Sequence, residues 1–314
     1  MPLQQTPGQA RVIDPILTSI AQGYTNAAMA GMALFPAVPV MQRGGKIISF
    51  SKEDFALYNT IRAPGSDTKR VQFGYTSGSY ALEQHALEAV APFELQQEAS
   101  QVAQINLAAM AIRKTQNVIA LRLEYAQAAI ATTAASYAAG NKTTLAGVNQ
   151  WSDYTGTSKP SFDIEVAKEA IRAQTGRYPN TVVLGAQVMG KLRQHPAIVD
   201  RIKYTGRDVV TTELLAALWG VERVIVGGAV YTDAAGTVTD VWGKFVVVAH
   251  TQLGSVADLG APTYGYTYRL DGAPYVEVGY QDRGAKSDIY PVTDEVIPVL
   301  TAASSGYLIS AAVA

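Results

Sequence analysis

The chain contains no cysteine, and that excludes disulfides, thiolate metal sites and cysteine nucleophiles together. The absence suits a reducing compartment. Histidine is nearly as scarce, with three in 314 residues. His85, His195 and His250 stand in separate segments with no H-x-x-x-H pair, so each reads as a packed or surface imidazole. Charge is short too: 16% of residues, against about a quarter in ordinary soluble domains. This deficit predicts that much of the surface meets other protein rather than water. A net charge of −1 leaves no footprint for tight nucleic-acid binding, which needs clustered Lys and Arg.

Long apolar runs are also missing. Residues 15–42 carry no charge, yet Gln22, Asn26, Gly31, Pro36 and Pro39 interrupt them. A membrane-spanning helix needs about 20 consistently apolar residues. The stretch reads instead as an extended arm buried against protein. The first residues, MPLQQTPGQARVIDP, lack the apolar core of a signal peptide.

Phosphate and catalytic motifs fail in turn. RYPNTVVLGAQVMGKL (177–192) has strand-turn-helix grammar, but Gly185 opens no G-x-G-x-x-G, and Lys191 is not followed by Ser or Thr. Gly44-Gly45-Lys46 precedes a strand pattern rather than a helix, and VGGAVYTD (226–233) has no helix after it. No G-x-S-x-G elbow is present. The adjacent acids Glu53-Asp54 and Asp294-Glu295 diverge if they lie on strands. No catalytic residue, cofactor site or metal ligand is assigned, and a hydrolase or transferase finds no nucleophile–base pair.

What is present is a succession of patterns. Residues 44–90 alternate aromatic and β-branched with polar residues around the turn Ala63-Pro64-Gly65-Ser66-Asp67, predicting a projecting hairpin. Lys52, Glu53, Asp54, Arg62, Asp67, Lys69 and Arg70 concentrate charge there. From Phe93 to about Tyr137, apolar residues recur at three- and four-residue spacing, predicting one helix roughly 65 Å long. Between Ser100 and Gly140 its charges are Arg113, Lys114, Arg122 and Glu124, so more than one side must be covered. Residues 140–162 read as a polar linker. A compact α/β block follows: helices at 163–175, 186–193, 196–202 and 211–219, and strands at 181–184, 221–227 and 241–249. Residues 264–280 predict a hairpin turned at Asp271-Gly272, and the tail holds short apolar strands.

The ordered set resembles the major capsid proteins of tailed double-stranded-DNA bacteriophages along nearly its whole length. LFPAVPV and GGKIISF (within 34–50) resemble the end of that family's N-terminal arm and the start of its extended loop. TIRAPGSDTKRVQFGYTSGSYALEQHALEAV (60–90) resembles the loop and its return. AKEAIRAQTGRYPNTVVLGAQVMGKLRQHPAIVDRIKY (167–204) resembles the opening of the axial domain and is the most specific part. The implied fold is α+β: an N-terminal arm (1–42), an extended β-hairpin loop (43–90) and a peripheral domain with a long spine helix (91–160). An α/β axial domain (161–262), a peripheral return hairpin (263–290) and C-terminal strands packing on the axial domain (291–314) complete it.

The resemblance implies a structural subunit, not an enzyme. It would form pentamers and hexamers in an icosahedral shell around the genome, within the virion capsid, after assembly in the host bacterial cytoplasm. The loop charges named above and the arm residues Leu34, Phe35 and Val38 are expected at subunit interfaces. The chain lacks a long charged helical N-terminal extension, so a separate scaffolding protein is expected. A portal, possible decoration proteins and non-specific contact with packaged DNA are also expected, with no cofactor and no membrane. Lys46, Lys52 and Lys69 are available for the cross-links some members form, but no acidic activating partner is identified. The alternative is an encapsulin-like bacterial compartment shell, which shares the fold; the long loop at 44–90 and the extended arm favour the phage reading.

Overall fold

A strand that is buried at every position needs cover on both faces. Thr181–Gly185 meets that condition, with all five residues buried, and the rest of the architecture supplies the cover. The computed structural model describes residues 14–22, 29–49, 61–62, 76–101, 106–155, 157–202, 209–252 and 262–314.

The chain opens with helices α1 (Pro15–Gln22) and α2 (Gly31–Leu34) and strand β1 (Ala37–Val40). Strands β2 (Gly44–Ser49) and β3 (Thr76–Ala81) follow, then β4 (Glu83–Pro92), α3 (Phe93–Gln101) and α4 (Leu107–Thr132). Next come β5 (Lys142–Thr144), α5 (Pro160–Thr175), β6 (Thr181–Gly185), α6 (Ala186–Leu192), α7 (Pro196–Ile202) and α8 (Thr212–Trp219). Strands β7 (Arg223–Gly227), β8 (Val230–Thr232), β9 (Val238–Asp240) and β10 (Val246–Ala249) lead to the last group. That group is β11 (Gly265–Leu270), β12 (Tyr275–Val276), β13 (Tyr280–Asp282), β14 (Ser287–Leu300) and β15 (Gly306–Ser310).

Two sheets organise these elements. The first is built on β14, whose 14 residues pair antiparallel with β4 on one edge, from Ser287↔Pro92 to Val296↔Glu83. Its other edge takes β11, β12 and β13 in succession, and β1 adds in parallel to β11. The second sheet has the order β5-β15-β10-β6-β7. One face of it (Val182, Leu184, Val246, Val248, Ile309) packs on Ile164, Ile171, Val188, Leu192, Leu215 and Trp219 from α5, α6 and α8. The opposite face (Val183, Val247, Leu308) packs on Leu34, Phe35, Ala128, Ala131, Tyr137 and Trp242.

Helix α4 joins the two sheets. Its early residues Ile112 and Ile119 pack on Val292, Val276 and Ala89 of the first sheet, while Ala128 and Ala131 reach the second. It is shorter than the sequence suggests. Asn106 caps its start, with Oδ1 accepting from Ala109 N at 3.0 Å. At its end the Thr132 and Thr133 hydroxyls donate back to the Ala128 and Ala129 carbonyls, and Thr133 turns extended. The 26 residues span about 39 Å. Because Asn106 and Thr133 are both extended, the single helix expected over 93–137 is divided into α3, α4 and a short turn at Ala134–Ser136.

Other expectations are corrected. The described arm is only partly extended: α1 packs on α4 and β12, α2 packs on α4 and β11, and β1 is a strand paired with β11. The loop hairpin returns at Ala81, and 83–92 belong to the first sheet. The stretch 140–162 is no linker, because β5 pairs with β15 and Trp151 is fully buried with Nε1 donating to Asp163 at 2.7 Å. Asp271-Gly272 turns no hairpin; β11 and β12 both run along β14, and the reversal falls after Asp282. Residues 291–300 lie in the first sheet, and of the tail strands β15 joins the α/β block.

Candidate functional site

Among the described residues the histidines serve local structure. Buried His195 approaches Ser158 Oγ at 3.2 Å and accepts from Ala197 N through Nδ1, a cap for α7. His250 meets the Tyr178 carbonyl at 2.9 Å. Burial lowers the pKa of both rings. Among the described residues no group of three or more His, Asp or Glu could hold a metal ion, and no helix is long and apolar enough to cross a membrane. The suspected phosphate turn has another use. A Cβ on Gly185 would stand 1.9 Å from the Gly243 carbonyl oxygen, so glycine lets the 242–243 turn close over β6.

That turn delivers Trp242 to the central junction. Glu124, 1% exposed, accepts from Trp242 Nε1 at 2.6 Å and from Ala30 N at 2.7 Å through Oε1, and from Gly31 N at 2.9 Å through Oε2. The carboxylate thus fills the open N–H groups at the start of α2, where negative charge is favoured. Burial raises its pKa above the ordinary carboxylate value, and the three donors work against that rise. At the other end of α2, Arg223 Nη2 donates to the Ala33 carbonyl at 3.2 Å and to Thr251 Oγ1 at 2.9 Å. Gln127 Nε2 donates to Thr267 Oγ1, which donates to the Phe35 carbonyl, both at 2.8 Å. A side chain at Gly31 would collide with Gln127 Oε1 at 2.1 Å. Together these contacts pin the N-terminal turn, α4 and both sheets to one another. The sequence shows Glu124 only as one of four charges between Ser100 and Gly140, because its partners lie 93 and more residues away.

The second feature is the hairpin β2–β3, which among the described residues forms a two-stranded sheet of its own. At its root Arg43 grips buried Glu295 with two nitrogens, Nη2 standing 2.9 Å from Oε1. Leu82 N donates to the Arg43 carbonyl at 2.7 Å. The Tyr80 ring stacks on Tyr268 at 4.5 Å. This root covers the upper part of the first sheet's face opposite α4, with Val38, Tyr266, Ile297 and Val299 beneath it. Lower on that face the cover given by the described residues thins: Val90, Ile289 and Tyr280 stand opposite one another on three strands, with Ile289 7%, Val90 51% and Tyr280 49% exposed.

The expected interface residues divide. Arg62 is exposed; Lys52, Glu53, Asp54, Asp67, Lys69 and Arg70 lie outside the described residues. Leu34 and Phe35 are wholly buried, and Val38 is 5% exposed, within the chain's own core. Of the charge-free stretch, Ala30, Leu34 and Phe35 pack between α4 and the second sheet, and Val38 packs on the first.

No protein-family model matches the chain. A major capsid protein of Burkholderia phage BcepMu is 38% identical over 304 residues, 96% of each chain. The crystal structure of a phage-related protein from Bordetella bronchiseptica is 42% identical and superposes with a TM-score of 0.82, covering 97% of this chain and 98% of that one. An encapsulin from Synechococcus elongatus shares the fold alone, at 10% identity and a TM-score of 0.52 over 95% of this chain and 94% of its own.

Proposed function

This chain belongs to the phage major capsid protein family, and from that membership we propose that its copies close, as pentamers and hexamers, into the icosahedral shell around a tailed phage's double-stranded DNA. The role is structural, not enzymatic, and its place is the virion capsid. What supports the shell reading is identity to a major capsid protein over 96% of the chain. The encapsulin alternative has fold likeness in its favour and no more. Assembly takes place in the host cytoplasm around a separate scaffolding protein, with a portal at one vertex, possible decoration proteins outside and non-specific contact with the DNA inside.

Within the shell the hairpin of one subunit lies on the partly covered sheet face of the next. Two features support this. A two-stranded hairpin alone is marginal in water, and a face with Val90 and Tyr280 half exposed has room for a partner. Hairpin-on-face contact is heterologous, the kind that forms a ring when its rotation closes, as in pentamers and hexamers. The axial α/β blocks meet at the ring centres, and Lys52, Glu53, Asp54, Arg62, Asp67, Lys69 and Arg70 set register across the contact. Negative-stain microscopy of sedimented protein is expected to show closed shells or sheets of rings. Uniform monomers or dimers that persist after a scaffolding protein is supplied would overturn the reading.

A further inference from the structure

We propose that the outer edge of β4 pairs with the same edge of a second copy of this chain, antiparallel, about a two-fold axis at Leu87. β4 is ten residues long and pairs one-to-one with β14 from Glu83↔Val296 to Pro92↔Ser287, with no bulge. Just past that ladder Phe93 N donates to the Lys286 carbonyl at 2.9 Å. Bonding alternates along an antiparallel pair, so the odd-numbered residues of β4 bond to β14. Gln84, Ala86, Glu88 and Val90 therefore turn their backbone N–H and C=O groups outward. All four residues are exposed, and among the described strands only β14 pairs with β4.

An open edge is a template for another strand, and proteins blunt edges with proline, lysine, bulges or short length. Other edges of this chain are blunted. On β1 the Pro36 and Val40 carbonyls accept from Thr267 N and Asp271 N, so Pro39 faces outward and removes a donor there. β5 has only three residues. Between Glu83 and Ala91, β4 has no proline, no lysine and no bulge. In the middle of this run Leu87 is 43% exposed.

The edge is complementary to itself. With the axis at Leu87, Gln84 faces Val90 of the second copy and Ala86 faces Glu88. Each outward residue then meets another outward residue, giving about eight backbone hydrogen bonds. Leu87 meets Leu87 and covers its own exposed apolar surface. No two carboxylates stand opposite one another, whereas an axis at Glu88 would oppose them directly. An axis at Ala86 would set Leu87 against His85. Tyr280 Oη donates to Glu88 at 2.9 Å and draws that carboxylate over its own sheet.

The place of this contact rests on the shell reading. The hairpin contact runs from subunit to subunit around a ring; an isologous contact joins one ring to the next. It would continue the six-stranded sheet of one subunit into that of its neighbour.

The chain has no cysteine, so Leu87→Cys supplies a single thiol. Residues opposed in a non-hydrogen-bonded pair have Cα atoms about 4.5 Å apart, within disulfide reach. The control is Gln84→Cys, because two copies of residue 84 would stand about 20 Å apart. Both positions are exposed, and equal melting temperatures would check that both variants keep the fold. Each full-length variant is oxidised with copper phenanthroline, as sedimented particles and as concentrated free subunits, and run on non-reducing denaturing gels. Leu87→Cys is expected to give about tenfold or more disulfide-linked dimer than Gln84→Cys. Equal yields, or no dimer from Leu87→Cys in either form, overturn the pairing. Shells whose Leu87→Cys subunits stay uncross-linked would leave the shell reading standing and remove the pairing. Specific Leu87→Cys dimers from a protein that builds no shells would do the reverse.

Discussion

Glu124 shows how much one side chain decides here. A carboxylate with no cation beside it, buried against Ala30, Gly31 and Trp242, is expensive to ionise. Its pKa is raised, with desolvation the largest cause. A carboxyl whose folded pKa exceeds the unfolded one holds its proton more tightly when folded. Its contribution to stability is complete below the unfolded pKa and is lost as pH rises through the folded one. Glu124→Gln cannot ionise and escapes that loss. Its stability relative to the natural protein is therefore expected to improve as pH climbs from the ordinary carboxylate pKa upward. Urea denaturation at a series of pH values measures this, and a difference that stays flat or moves the other way contradicts it. Gly31 belongs to the same pin. Its lack of a side chain had no local explanation in the sequence, because the atoms that forbid a Cβ come from α4.

Elements were legible where their own residues settle the outcome. β6 reads as a strand from five consecutive buried-type residues, and α5 and α8 end at Gly176 and Gly220, both left-handed. β14 was not legible as one strand, since Pro291 and Pro298 look like breakers. Both are accommodated by pairing that no local pattern contains. Pro291 offers its carbonyl to Glu277 N in the gap between β12 and β13, so its missing N–H falls where the ladder lapses. Thr267 donates to Pro36, away from β14, so Pro298 opposite it faces the edge beyond the end of β4. The hairpin β2–β3 was legible as a hairpin, but its root on β14 was not. If Arg43 and the Tyr80–Tyr268 stack hold that root, Arg43→Ala should loosen the hairpin and leave β4 and β14 intact. Hydrogen exchange is expected to speed up about tenfold or more across 44–49 and 76–81, with 83–92 unchanged. Equal rates in the two proteins would assign the root to the tyrosines and backbone alone.

For the whole molecule, the division between inner and outer cover matters most. The low charge of the sequence pointed to surfaces made for neighbours, and part of that apolar excess is spent within the chain, on α1, α2 and the aromatic joint around Tyr264. Among the described residues, the lower sheet face beside the hairpin root is covered only in part: Val90 and Tyr280 are half exposed on either side of buried Ile289. Replacing both with Glu should cost the isolated subunit little, about 0.5–1 kcal/mol, because half-exposed side chains give up limited apolar contact. In a shell the same two charges would sit under a neighbour's hairpin, repeated at every ring contact, where a buried carboxylate without a partner is strongly unfavourable. Closed symmetry multiplies such a penalty as it multiplies weak attractions. The Val90→Glu, Tyr280→Glu protein is therefore expected to melt within a few degrees of the natural one and to sediment as free subunits or small rings. Shells of normal size from that protein would mean that the hairpin of the neighbour rests elsewhere.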